Sequence, residues 1–312
     1  MGEFAHVPVL AAEVLRALSP ADGGVYIDGI LGGAGHSSLI LEHSAPTGFL
    51  LGIDRDDDAL RAAGRRLAPY AGRFRLVKGN FADMAELART NGITAVDGIL
   101  LDIGVSSYQL DEEERGFSYH QDAPLDMRMD RSQELTAAAL VNTASAEELS
   151  RILYDYGEEK WAVRIAAFIT EQRRQAPVET TAQLVEIIKK AIPAGAREKD
   201  QHPARRTFQA LRIAVNGELD ALKQGLEAAL SLLKPGGVLA VITFHSLEDR
   251  IVKDCFRLHA TDCICPPRQP VCTCGHRADI RLWNRKPVTA GPAELESNPR
   301  SRSANLRAAV KL

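Results

Sequence analysis

Short apolar segments alternate with helical patterns along the first hundred residues, and this alternation constrains the fold more than any other feature. Four segments read as strands: 25–31 (VYIDGIL), 49–53, 74–77 and 96–103 (VDGILLDI). A helix is predicted at 58–67, between the second and third of them. Nearly continuous apolar strands separated by helices indicate a parallel sheet covered on both faces. The expected fold class is therefore α/β, with a wound sheet.

The alternation stops after about Gly104 and resumes late in the chain. Between these points only helical patterns appear, including a capping box at Ser145 and Glu148 and helices at 161–172 and 183–191. Asn216 is predicted to cap the next helix, a fifth strand follows at 238–244, and irregular basic sequence closes the chain. We predict a discontinuous domain of residues 1–112 and 214–312, with a helical substrate-recognition domain inserted at 113–213.

Composition and charge exclude several protein classes. The 312 residues are 45% hydrophobic and 25% charged, which is typical of a globular chain and not of a disordered or fibrous one. No apolar run approaches membrane-helix length, and Glu3 stands where a secretory signal would be basic, so we expect a cytoplasmic protein with no membrane partner. From Arg250 onward, 12 Lys and Arg face 5 Asp and Glu. This charge of +7 suits a phosphate-bearing partner, with a solvated basic surface as the alternative.

All five cysteines fall between Cys255 and Cys274, and four of them form two C-x-C pairs, Cys263 with Cys265 and Cys272 with Cys274. Such clustering in a cytosolic chain favours metal binding or reactive thiols over disulfides. Common zinc knuckles, however, place two to four residues between ligands. No metal ligand is therefore assigned, and the question of zinc stays open.

A glycine-rich sequence, DGILGGAGH at 28–36, follows the first strand. Glycines let a ligand approach the backbone, and the next helix offers free N–H groups, so a nucleotide-like ligand is indicated. A tight turn without a ligand is the alternative. The dinucleotide fingerprint needs a third glycine where Ser38 stands, which argues against a nicotinamide dehydrogenase.

The ends of the later strands are polar as well. Asp54 ends the second strand, where an acidic side chain can bind ribose hydroxyls, although helix capping is an alternative role. The third and fourth strands end at 79–83 and 102–109. Phe81 is a candidate for stacking on a purine, with a core position as the alternative. Ligands bind at this edge of open α/β sheets, so the strand ends together predict an adenosine-containing ligand.

Seven segments resemble the small-subunit ribosomal RNA (cytosine-N4)-methyltransferases. They are 28–38, 100–110 (LLDIGVSSYQL), 116–119 (GFSY), 124–130 (PLDMRMD), 205–218, 243–250 (TFHSLEDR) and 298–307. The match runs nearly end to end, and GVSS, DMRMD and FHSLEDR are specific to that family. The resemblance implies a class I, Rossmann-like sheet with an inserted all-helical domain. It also implies S-adenosylmethionine as the cofactor and a cytosine in the decoding region of ribosomal RNA as the substrate.

The resemblance further implies a set of cofactor-binding residues: Ala34, Gly35, His36, Asp54, Phe81, Asp102 and Gln109. Ala34 stands where the family often has glycine, which is tolerable if the backbone N–H makes the contact. Asn305 replaces a usual lysine, which removes one possible phosphate contact.

Methylation of an exocyclic amine is an in-line displacement at a sulfonium carbon, so orientation supplies much of the rate. The cytosine amine is weakly nucleophilic because its lone pair is delocalised into the ring. A group that accepts a hydrogen bond from its N–H should favour the reaction by drawing off the developing positive charge. Asp102 and Ser106 are the candidates by position. His245 ranks behind them, with a core histidine as the alternative.

The target base has to leave its stack, and Phe117 and Tyr119 are candidates to receive it. Contacts with ribosomal RNA, free or in the small subunit, are predicted for Arg128, Arg205, Arg206, Arg212, Arg300 and Arg302. Ordinary ion pairs are the alternative, for instance Arg128 with Asp126 or Asp130. The oligomeric state, a homodimer included, stays open.

Two other functions are weighed against this one. A DNA amino-methyltransferase normally shows an Asp/Asn/Ser-Pro-Pro-aromatic tetrapeptide after the fourth strand, where this chain has DIGV at 102–105. A non-enzymatic ribosome-assembly factor would bind RNA without turnover. The intact cofactor-loop and ribose positions argue against it, and titration with S-adenosylmethionine discriminates the two.

Overall fold

The computed structural model describes residues 8–198, 201–267 and 269–312, and the chain forms two compact units. The first unit comprises Met1–Gly104 with Leu219–Leu312, and the second comprises Val105–Glu218. The predicted insertion, 113–213, falls within the second unit. Its role in substrate recognition stays a prediction.

The first unit is built on a seven-stranded sheet. Its strands are β1 (Val25–Asp28), β2 (Phe49–Asp54), β3 (Phe74–Lys78), β4 (Val96–Asp102), β5 (Leu233–Thr243), β6 (Ile280–Leu282) and β7 (Asn305–Lys311). Their order is β3-β2-β1-β4-β5-β7-β6. Strands β1 to β5 are parallel, and β7 is antiparallel to both β5 and β6. The expected α/β class with a Rossmann-like wound sheet is confirmed.

Thirteen α-helices occur in the described part of the chain. They are α1 (Ala11–Leu18), α2 (Gly35–His43), α3 (Asp57–Leu67), α4 (Met84–Thr90), α5 (Ser107–Asp111), α6 (Ala137–Thr143), α7 (Ala146–Gly157), α8 (Ala162–Gln172), α9 (Thr181–Ala191), α10 (Arg205–Asn216), α11 (Glu218–Leu232), α12 (Ser246–His259) and α13 (Pro292–Ser297). None of these described helices has the length and apolar character needed to cross a bilayer.

Both faces of the sheet are buried. Successive side chains of a strand point to opposite faces, and the neighbours Leu100 and Leu101 belong to different core clusters. Leu101 lies in the cluster that includes residues of α11 and α12, whereas Leu100 lies in the cluster that includes residues of α1, α2 and α3. This two-sided cover explains why the parallel strands read as continuous apolar runs.

The prediction that irregular sequence closes the chain is wrong. β7 pairs with β5 over six residues, and Leu306, Ala308 and Val310 are buried on one face. The segment NLRAAVK contains a single β-branched residue, so its local sequence does not favour a strand. Pairing with a buried neighbour decides its conformation.

The second unit has its own apolar core, formed mainly by α6 to α10. Ser145 caps α7 as predicted, because its side chain accepts a hydrogen bond from the Glu148 N–H at 3.1 Å. The predicted capping role of Asn216 is wrong, since this residue ends α10. Its side-chain amide instead accepts from the Met129 N–H and donates to the Met127 carbonyl, both at 2.8 Å, and so holds the loop of the PLDMRMD motif.

Candidate active site

Three aspartates end neighbouring parallel strands of the first unit. Asp28 ends β1, Asp54 ends β2 and Asp102 ends β4. The strand order reverses at β1, which lies between β2 and β4. In open α/β sheets the crevice at such a reversal is the usual ligand site. The three carboxylates are therefore at the position in this fold where a ligand is expected.

Asp28 organises the loop that leaves β1. Its Oδ2 accepts a hydrogen bond from the Ser37 hydroxyl at 2.5 Å, and its Oδ1 accepts one from the Ile30 N–H at 3.3 Å. Burial raises the pKa of Asp28 to about 7. The carboxyl group thereby ties the start of the loop to the first turn of α2.

The loop itself ends in a left-handed residue, Ala34, whose φ is 55°. The Ala34 N–H donates to the Leu31 carbonyl at 2.7 Å, so this group closes the turn. Gly33 is different, because a Cβ added there would meet no atom within 4 Å. The loop thus has free space beside Gly33, whereas the Ala34 N–H is already used inside the turn. A cofactor that accepts a hydrogen bond from the Ala34 N–H would have to replace its bond to the Leu31 carbonyl.

Asp54 is buried and holds two backbone groups. Its Oδ2 accepts from the Gly32 N–H and its Oδ1 from the Asp56 N–H, each at 2.9 Å. Burial raises the pKa of Asp54 to about 6. Each carboxylate oxygen has a further lone pair, so the side chain can fix the glycine loop and still accept a ligand hydroxyl. Asp56, two residues on, caps α3 by accepting from the Asp58 N–H.

Asp102 has an unusual environment for a carboxylate. Its side chain is 28% exposed, yet its Oδ1 is buried and receives no hydrogen bond from any described residue. Burial raises the pKa of Asp102 to about 8, and the negative charges of Asp28 and Glu248 raise it further. The nearest cationic candidate is His36, whose Nε2 lies 3.8 Å from Oδ2. A buried carboxylate oxygen without a described donor is a place where an N–H or O–H group of a ligand would fit.

His245 lies at the N-terminus of α12 and acts as its cap. The Glu248 carboxylate accepts from the Phe244 N–H at 2.8 Å and from the His245 N–H at 3.2 Å. It also lies 2.9 Å from the His245 Nε2. The imidazole is thus held by a capping box and not by a core carbonyl, and a catalytic role for it stays a prediction.

Phe81 packs in the interior of the first unit. The side chain is buried, and a Cβ on Gly225 would lie 2.4 Å from its ring. The ring therefore fills the space left by a helix glycine in α11. The Phe81 Cβ also lies close to Gly29, so Phe81 packs against the start of the glycine-rich loop, whereas stacking on a purine stays a prediction.

Ser106 and Gln109 belong to the second unit, where they form a second capping box. The Ser106 hydroxyl accepts from the Gln109 N–H, and the Gln109 side chain accepts from the Ser106 N–H, both at 3.2 Å. This arrangement begins the short helix α5. It gives both residues a structural role, and their three-residue separation is capping-box spacing that the sequence analysis did not use.

The two predicted aromatic residues differ in their surroundings. Phe117 is buried in the core of the second unit, with the Arg115 guanidinium 5.9 Å from the ring centre. Tyr119 is partly exposed and stacks on His202, with ring centres 4.7 Å apart. Tyr119 therefore has the more accessible ring face for a nucleobase.

The predicted RNA-binding arginines differ in the exposure of their side chains. The Arg128 guanidinium donates two hydrogen bonds to the Asp126 carboxylate, which agrees with the ion pair given as the alternative role. The Arg212 guanidinium donates two to the Glu218 carboxylate. Arg206 donates to the Glu158 carbonyl. Arg205, Arg300 and Arg302 are exposed. Contact with RNA stays a prediction for all six, and the exposed three are best placed for it.

Sequence reasoning did not assign roles to Asp28 and Glu248. Both had a detectable signal, because Asp28 begins the glycine motif and Glu248 stands three residues after His245, which is capping-box spacing. Together with Asp54 and Asp102 they place four carboxyl groups in this part of the first unit. Each carboxyl group can accept a hydrogen bond from a ligand when it is ionised.

Known proteins of one family match this chain over its length. A model described as the MraW methylase family matches residues 3–312. A protein of Symbiobacterium thermophilum named "Ribosomal RNA small subunit methyltransferase H" is 61% identical over 99% of this chain and 97% of its own length. Proteins of that name from Citrifermentans bemidjiense and Geobacter sulfurreducens are 57% and 58% identical, over 100% and 99% of both chains. The chain therefore belongs to the MraW methylase family.

Proposed function

We propose that this protein transfers a methyl group from S-adenosylmethionine to the exocyclic N4 amine of a cytosine in the decoding region of small-subunit ribosomal RNA. Membership of a methylase family and the names of the relatives support ribosomal RNA as the substrate. The motifs at 100–110 and 243–250 support the cytosine amine. The observation that carries the chemistry is the buried, unpartnered Oδ1 of Asp102.

The site fits the proposed cofactor in charge and shape. S-adenosylmethionine supplies an electrophilic methyl group on a positively charged sulfur. Carboxyl groups at the ends of β1, β2 and β4, which are buried at Asp28 and Asp54 and partly exposed at Asp102, favour that positive charge when they are ionised. Asp54 also retains lone pairs for the ribose hydroxyls. The open position at Gly33 leaves room beside the loop for the amino-acid part of the cofactor.

Asp102 is suited to handle the proton of the amine. One N–H proton has to leave as the new N–C bond forms, and a carboxylate that hydrogen-bonds to that N–H draws off the developing positive charge. The pKa of Asp102, raised to about 8 by burial, lies close to neutral pH. An acceptor is most effective when its pKa is near the working pH.

The test combines cells and purified components. Nucleoside mass spectrometry of ribosomal RNA from cells lacking the protein should show one N4-methylcytidine mark lost. Purified protein with S-adenosylmethionine should restore the mark on small subunits from those cells, and the Asp102→Asn variant should not. Restoration of a 5-methylcytidine instead would overturn the N4 assignment. Tight RNA binding without any methyl transfer would favour the assembly-factor alternative.

A further inference from the structure

Four cysteines of the segment between α12 and β6 converge on one point. The sulfur atoms of Cys263, Cys265, Cys272 and Cys274 all lie within 4.8 Å of one another. Individual distances are 3.5 Å for Cys263 to Cys272, 3.6 Å for Cys272 to Cys274 and 3.9 Å for Cys274 to Cys263. All four are free thiols.

These distances match the geometry of a tetrahedral metal site. A zinc–sulfur bond of about 2.3 Å places the sulfurs of a regular tetrahedron roughly 3.8 Å apart. A disulfide would need about 2.05 Å. Common zinc knuckles have two to four residues between ligands, whereas these pairs have one. The 3.6 Å between the Cys272 and Cys274 sulfurs shows that one intervening residue is enough to bring both sulfurs to this separation.

Backbone donors surround the sulfurs. The Thr273 N–H points to the Cys265 sulfur at 3.5 Å. The N–H groups of His276 and Ile264 donate hydrogen bonds to the Cys274 sulfur. Gly275 has a φ of 63°, and the turn at this residue directs the His276 N–H toward the Cys274 sulfur. Such N–H contacts stabilise thiolate over thiol and are typical of the outer shell around a metal ligand.

The segment has little apolar packing to hold its conformation. Ile264 and Val271 are 51% and 71% exposed, so the two apolar side chains of the cysteine segment other than proline contribute little to a core. Its described contacts are mainly polar: the Asp279 N–H donates to the His259 carbonyl at 3.0 Å, and the Gln269 amide donates to the Thr273 hydroxyl at 2.7 Å. Small segments without a core commonly depend on a structural metal.

We propose that Cys263, Cys265, Cys272 and Cys274 bind one zinc ion, which closes the segment 263–274 into a structural knuckle. A set of four sulfur ligands suits zinc or iron. Zinc is the better candidate, because three of the four cysteines are exposed and zinc has no redox chemistry that solvent would disturb.

Cys255 is a matched control for this site. It belongs to a separate group with Glu227 and His259. Both nitrogens of His259 already face carboxylates, Asp279 at 2.8 Å and Glu227 at 3.3 Å. Burial raises the pKa of Cys255 to about 12, which disfavours the thiolate that a metal needs. Cys255 therefore lies outside the proposed site.

The experiment measures metal directly. The full chain, purified under reducing conditions without chelator, should contain one zinc per chain by plasma mass spectrometry. Cobalt exchanged into it should give the thiolate charge-transfer and ligand-field bands of a tetrahedral tetrathiolate. Cys263→Ser and Cys274→Ser should each lose most of the zinc and lower the melting temperature, whereas Cys255→Ser should retain the full amount.

Three results would overturn the proposal. They are a wild-type chain without stoichiometric metal that also gives no cobalt spectrum, equal zinc loss in Cys255→Ser, and stoichiometric iron in place of zinc. The cobalt spectrum of the wild-type chain decides the matter even if the serine variants fold poorly.

Discussion

The Nε2 atom of His36, in the first turn of α2, lies 3.8 Å from the Oδ2 atom of Asp102, at the end of β4. This contact joins the helix that follows the glycine loop to the central strand of the sheet. His36 is the basic side chain that faces Asp102, whereas the negative charges of Asp28 and Glu248 both oppose the ionisation of Asp102. The charge state of Asp102 is therefore sensitive to any cation placed beside it.

Asp102→Asn should abolish methyl transfer and make the folded chain more stable. The substitution removes the proton acceptor, and it also removes the cost of a buried carboxylate oxygen without a donor. We expect a rate loss of at least about 100-fold, in line with general acid–base catalysis. Thermal unfolding at pH 8 should show a gain of about 1–3 kcal/mol.

Asp97, on the same strand, provides the control. It accepts hydrogen bonds from the Val25 N–H and from Lys234, and although partial burial acts to raise its pKa, the Lys234 bond lowers it. Asp97→Asn should therefore lower stability and leave the methyl-transfer rate nearly unchanged. Parallel behaviour of the two variants would remove Asp102 from the mechanism.

Stability should fall as pH rises between about 4 and 8. Burial raises the pKa values of Asp54 to about 6, Asp28 to about 7 and Asp102 to about 8. The unfolded values are about 4, so in this window the folded chain binds more protons than the unfolded chain. The three aspartates therefore make their full contribution to the free energy of unfolding below about pH 4. This contribution is lost as the pH rises through their pKa values in the folded state.

Urea unfolding at pH 5.5 and pH 8.5 measures this effect, and Asp102→Asn isolates one group. The advantage of the variant over the wild type should be small at pH 5.5 and grow toward pH 8.5. An advantage that is equal at both values would show that the pKa of Asp102 is not raised.

Much of the fold followed from local patterns, but β7 and the role of Asn216 did not. The strands β1, β2 and β4 and the second half of β5 are mainly apolar runs, so their burial on two faces is visible in the sequence. β7 depends on pairing with β5, and Asn216 depends on a loop 87 residues away, at Met129. Such distant partners leave no periodic signal.

The candidate site was predictable in position and less so in detail. Glycines and aspartates at strand ends located the sheet edge. The use of the Ala34 N–H within the turn depends on hydrogen-bond geometry, which residue types alone do not specify. The capping roles of Ser106 and His245 had a signal in the three-residue spacing to Gln109 and Glu248, which the sequence analysis did not use. The convergence of the cysteines was hidden for the same reason.

Asp54→Ala should weaken binding of S-adenosylmethionine at least about tenfold, as expected for the loss of hydrogen bonds to an ionised group. It should also loosen the glycine loop, because the Gly32 and Asp56 N–H groups lose their acceptor. Calorimetric titration measures the affinity. Asp57→Ala is the control, since its side chain is exposed and pairs with Lys78. Unchanged affinity in Asp54→Ala would exclude Asp54 from the binding site.

The role of Ser106 as a helix cap can be tested separately from a role of its hydroxyl as a proton acceptor. Asparagine is a good N-cap residue, whereas alanine is not. If capping of α5 is the role of Ser106, Ser106→Asn should retain activity within a few-fold, and Ser106→Ala should lose about 1 kcal/mol of stability. Strong loss of methyl transfer in Ser106→Asn, with the fold intact by circular dichroism, would instead support the hydroxyl as a proton acceptor.

Replacing Arg300 and Arg302 with alanine should reduce the salt dependence of RNA binding. Both side chains are exposed in the basic C-terminal region. Each phosphate contact on single-stranded RNA contributes about 0.7 to the slope of log K against log salt, so the double variant should lower the slope by roughly 1–1.5. Fluorescence anisotropy with a labelled RNA fragment at several salt concentrations measures it. Arg61 and Arg89 are exposed arginines paired within their own helices, and their double alanine variant should keep the wild-type slope. Equal slopes for all three proteins would exclude a phosphate role for Arg300 and Arg302.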